Sequence, residues 1–153
     1  MRPGAFSQSG FLGEDERLED VLATDARTLE DLGLSAEEVA APLDQLLYAA
    51  EAARSRFARV DDQFEISIEL FTGFQICPWA PNPHSGQCTA GGGVRHASVK
   101  WHLRNRRSGE RLSGPGMIVH LIRAHGFFEG FQSPNRVDPR ALVRILELGS
   151  FKT

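Results

Sequence analysis

Apolar positions along the chain change period several times, and each change predicts an element. Leu18, Val21, Leu22, Leu29 and Leu32 recur at spacings near three and four, which predicts a helix from Glu14 to about Leu32. Acids crowd its first turn, where the helix dipole favours them, and Gly33 ends it. Thr24-Asp25 could break this helix in two, with Asp25 capping the second piece. Ser35-Ala36-Glu37-Glu38 is a capping box, in which the Ser hydroxyl and the Glu38 carboxylate each satisfy the other residue's free amide. A second helix is predicted from Ala36 to about Arg56, with Val39, Leu43, Leu46, Leu47 and Ala50 as its buried stripe. Pro42 falls late for a first-turn proline, so a kink or a later start is expected. The two helices read as an antiparallel hairpin.

From Gln63 to Phe74 the period becomes two. Phe64, Ile66, Ile68 and Leu70 alternate with Glu65, Ser67 and Glu69, as in a strand with one buried face, and Thr72-Gly73-Phe74 ends it. Pro78 to Gly93 has no periodicity and reads as a long loop, a kind that is functional or tied down. Ala97 to Asn105 is a second strand, with Val99, Trp101 and Leu103 on its buried side. It should pair with the strand from Phe64 to Leu70. A hairpin turn at Arg107-Ser108-Gly109 leads to a short return strand, Glu110 to Ser113. A helix is then predicted with Ser113 or Gly114 at its cap, Pro115 in its first turn and Gly126 at its end. Phe127, Phe128 and Phe131 should mostly pack under helix ends. Asp138-Pro139 caps a last helix to about Leu148. The fold class is α+β: a helical hairpin, a small antiparallel sheet, and two later helices packed on that sheet.

Composition and charge refine the division. The expected parts are a disordered start (1–13), an acidic helical hairpin (14–62) and an α+β part (63–153), together one domain. No apolar run approaches the roughly 18 residues that span a bilayer, and the start lacks the apolar core of a signal peptide, so a cytoplasmic protein is expected. The net charge of −3 hides an asymmetry. Glu14 to Asp62 carries fourteen acids against five bases, and Arg95 to Arg111 carries six bases against one acid. The histidines His96 and His102 are expected to face solvent, and the acids of the first two helices to form a solvated face.

Both cysteines and all five histidines lie between Cys77 and His125. Cys77, Cys88, His120 and His125 form the soft N/S donor set that tetrahedral zinc prefers. Their placement is unusual. Ten residues separate the cysteines, and five helical steps from His120 to His125 turn the chain by about 500°, so the rings diverge by roughly 140°. The second histidine falls in the last turn before Gly126, where a helix loosens. His84 is an alternate ligand. In an oxidising compartment a Cys77–Cys88 disulfide would be the alternative.

The order strand, Cys, Cys, strand, helix with two His resembles a Cys2His2 zinc finger in plan. The resemblance covers the four ligand positions and the order of their elements, and it implies a zinc ion held structurally. The block from His120 to Gly130 and on through Arg136-Val137-Asp138-Pro139 is similar to a block of small bacterial proteins of unassigned function, and implies no activity.

Three functional classes follow. A closed four-ligand zinc site would make the chain an interaction or regulatory module, with another protein as its partner. A metal-dependent hydrolase would need an open metal position and a general base, for which Glu129 is the acid nearest the histidines. A nucleic-acid-binding protein would use Arg95, Lys100, Arg104, Arg106, Arg107 and Arg111, with Trp101 to stack on bases. No membrane partner is expected.

Overall fold

The computed structural model describes residues 12–71, 77–79, 88, 96 and 98–149. The start of the chain through residue 11, Thr72-Gly73-Phe74 and most of the stretch read as a loop lie outside the described residues. Helices α1 (Leu18–Leu32) and α2 (Ala36–Ala52) come first, followed by strands β1 (Phe57–Val60), β2 (Phe64–Leu70), β3 (Val99–Asn105) and β4 (Arg111–Pro115). Helices α3 (Ile118–His125) and α4 (Pro139–Ile145) complete the order. The strands form one antiparallel sheet in sequence order, β1-β2-β3-β4. The architecture is α+β, with β2 and β3 paired from Phe64 opposite Asn105 to Leu70 opposite Val99. Among the described residues no helix is long and apolar enough to cross a membrane.

One face of the sheet is the floor of the core. Ile66 and Ile68 of β2 and Val99, Trp101 and Leu103 of β3 point inward, under the α2 stripe of Val39, Leu43, Leu46, Leu47 and Ala50. Trp101 is fully buried, and its indole N–H donates to Pro115 O at 2.9 Å. The ring needs Gly114 beside it, because a Cβ there would lie 2.8 Å from the indole. Phe127 and Phe128 are buried as expected, whereas Phe131 is half exposed under the Arg136 guanidinium. Helix α3 lies along α2 and buries Ile118, Val119, Leu121 and Ile122 in the shared core, and α4 packs against α1 and β4.

Several boundaries differ from the sequence reading, each for a local reason. The second helix stops at Ala52, and a fourth strand, β1, occupies Phe57–Val60. Asp61 and Asp62 both take left-handed backbone (φ 54° and 53°), which Asp tolerates, and with Gln63 they turn the chain between the paired Val60 and Phe64. Helix α1 is unbroken through Thr24-Asp25 and has no side-chain cap; Asp25 is a buried ion-pair partner, not a cap. Pro115 belongs to β4, opposite Lys100, so α3 begins only at Ile118. The last helix is capped as expected, with Asp138 accepting from Ala141 N at 3.0 Å. It ends at Ile145, and Glu147 turns left-handed (φ 55°) to bond Asn105.

Candidate metal centre

Sequence positions far apart converge at the C-terminal end of α3. Gly126, in left-handed backbone (φ 63°), closes the helix by donating to Ile122 O and Leu121 O. His125 is therefore the last helical residue and His120 lies in the first half of the same helix. The two rings do not stack on one helical face. They meet edge to face, with centroids 5.2 Å apart and an interplanar angle of 84°. Each uses its outer nitrogen, which offsets their angular divergence along the helix. His120 Nε2 lies 3.3 Å from Cys77 Sγ, and His125 Nε2 lies 3.4 Å from Cys77 Sγ and 3.2 Å from Cys88 Sγ.

One donor atom from each of Cys77, Cys88, His120 and His125 lies within 4.8 Å of all the others, so the group could hold a metal ion. The edges fit a tetrahedral ion. Bonds of about 2.3 Å to sulfur and about 2.0 Å to nitrogen set S···N separations near roughly 3.5 Å, close to the three observed. Both thiols are free and buried, and the imidazoles are partly buried. Burial pushes the His120 imidazolium below its ordinary range. Burial, and then repulsion from His120, pushes His125 down to about 4. Both rings are accordingly neutral near pH 7, the form that offers a lone pair to a cation.

Trp79, two residues after Cys77, completes the wall. Its ring stacks on His125 at 4.0 Å and 14°, and meets Phe127 edge on at 5.5 Å. No periodicity marks this residue in the sequence, although a tryptophan beside a candidate ligand is a natural shield from water. His96 was also misjudged. It is buried, not solvent-facing: its Nε2 donates to Asp44 at 2.8 Å, and its Nδ1 lies 2.6 Å from Glu51 Oε1. Tyr48 meets its ring edge on, and Arg123 of α3 binds the same Asp44 at 3.1 Å. The acids of the first two helices are thus not all solvated. Burial raises the Asp44 carboxyl, but hydrogen bonds and charge from His96 and Arg123 outweigh it and hold the group below its ordinary 3.8.

The other candidates are dispersed. His84 and Arg95 lie outside the described residues. Glu129 is not one of the four clustered donors; its side chain is fully buried, with Ser133 Oγ at 3.4 Å. Trp101 is in the core and offers no stacking surface. Arg106 bonds Asp62 at 2.6 Å and Arg107 bonds Glu147 at 2.8 Å, so the hairpin tip is neutralised locally. Arg104, Lys100 and Arg111 lie on the outward face of the sheet, and so does His102, which is part exposed as expected.

No protein-family model, no curated protein and no solved structure matches the chain. Neither the zinc-finger resemblance nor the bacterial one gains support from that comparison, and what remains of the first is the convergence of four donors.

Proposed function

We propose that this chain is a zinc-binding protein whose ion is mainly structural, and that it serves as an interaction or regulatory module for another protein. The observation that carries the reading is the convergence of Cys77, Cys88, His120 and His125 on one point. Two thiolates and two imidazoles select zinc over the hard cations, and four protein donors fill its tetrahedral shell without a place for substrate. Two donors come from within the long β2–β3 connection and two from α3, so an ion there would staple that connection to the helix. Metal-binding free energy would then be folding free energy.

The test pairs zinc content with melting temperature in two variants. His125→Ala is expected to lose the metal and melt well below the parent. His102→Ala, on the exposed sheet face, is expected to keep both. Retention of zinc by His125→Ala would remove that residue from the ligand set and with it the closed site.

A further inference from the structure

The outward face of the sheet shares no residue with the cluster of four donors. Cross-strand register sorts its side chains into rows. Arg59, Glu65, Arg104 and Arg111 form one row, and Phe57, Ser67, His102 and Ser113 form the next. Arg104 and Arg111 are direct partners across β3 and β4. Like charges so placed repel each other, and their Cβ atoms are only about 5 Å apart. Glu65 is the single carboxylate of that row. It already accepts from Arg59 at 2.7 Å and from Arg104 at 3.3 Å, which leaves Arg111 without a partner among the described residues. The adjoining row is low. Ser67 and Ser113 are small, and Ser113 Oγ is engaged with His102 Nδ1 at 2.8 Å. Between the rows runs a groove of about 310 Å³, with Phe57, 43% exposed, at its β1 end.

We propose that this groove binds a phosphate-bearing ligand of nucleotide size, with the phosphate held by Arg104 and Arg111 and a planar ring against Phe57. Two guanidinium forks side by side match the oxygens of a phosphate, and the anion relieves the repulsion between them. From β3, which carries Arg104, to β1, which carries Phe57, are two strand spacings, about 10 Å, roughly the length of a nucleotide from phosphate to base. The face as a whole carries Arg59, Lys100, Arg104 and Arg111 against Glu65 and Glu69, an excess of two positive charges in a chain whose net charge is −3. Charge of that sign on an otherwise acidic protein favours an anionic ligand on this side.

The chemistry has two sources, a free nucleotide or the backbone of a single strand. Calorimetric titration of the full chain with adenosine monophosphate, with adenosine and with a short oligothymidylate distinguishes them. Adenosine monophosphate, the oligonucleotide or both are expected to bind and adenosine to fail. Binding of the mononucleotide identifies the free ligand, and binding of the oligonucleotide alone identifies the strand. Arg111→Ala, at an exposed position, is expected to weaken that binding by about tenfold or more. Arg107→Ala, at the neutralised hairpin tip, should leave it unchanged. If neither phosphate ligand binds, if adenosine binds as well as they do, or if the two variants lose binding equally, the proposal is overturned.

Discussion

Asp25 lies inside α1 with only 2% of its side chain exposed, and Arg136 reaches it from the segment before α4. The guanidinium forks onto both carboxylate oxygens at 2.8 and 2.9 Å and donates a third bond to Glu129 O at 2.8 Å. Removing one partner strands a buried charge, so Asp25→Ala is expected to cost about 3–5 kcal/mol in denaturant unfolding. A loss below about 1 kcal/mol would place the pair among surface bridges instead. Asp44 makes a different demand. Its carboxyl ionises more readily in the folded chain than in the unfolded chain, where it titrates near 3.8. The stability it contributes is therefore complete above that value and is lost as pH falls through the lower folded value. Asp44→Asn should be less stable than the parent at neutral pH, and the gap should narrow as pH falls below the unfolded value and through the lower folded one. A gap independent of pH would mean that the pairing with His96 and Arg123 is not what holds this carboxylate.

Elements with a complete local signal were legible in the sequence. The capping box forms both of its bonds, Ser35 Oγ accepting from Glu38 N at 3.1 Å and Glu38 accepting from Ser35 N at 2.9 Å. The alternation of Phe64–Leu70 and Val99–Asn105 gave both central strands, because one buried face dictates the period. What escaped had a tertiary cause. Strand β1 is only four residues long, and it exists because the Asp61-Asp62 turn returns the chain onto β2. Asp25 resembles a cap until Arg136 arrives from 111 positions away. His96 looks polar until two α2 carboxylates flank it. The junction of β4 and α3 depends on the same histidine. A Cβ on Gly116 would lie 2.1 Å from His96 O, a backbone atom that has little room to move. Gly116→Ala is therefore expected to lower stability by about 1–3 kcal/mol, measurable by denaturant unfolding. An unchanged midpoint would show that His96 and the start of α3 are not packed this closely.

At the scale of the molecule, the hydrophobic core and the donor cluster divide the work. Trp101, Phe127, Leu43 and Leu47 fill the space between sheet and helices. The β2–β3 connection has a different anchor. Cys77 and Cys88 bring it to α3, with Trp79 stacked over His125. The four residues were legible as candidate donors because few side-chain types bind soft cations, and the chain has only two cysteines to offer. Their meeting point was not, since spacing alone leaves the two rings of one helix pointing apart. If a metal ion joins them, a strong chelator should lower the melting temperature, and zinc should restore it while magnesium does not. The central claim is tested most directly by X-ray absorption at the zinc edge of the purified chain, with the metal counted in the same sample. The expected result is one zinc per chain, with two sulfurs at about 2.3 Å and two nitrogens at about 2.0–2.1 Å. A folded chain that carries no zinc, or zinc surrounded by oxygen, would contradict the account.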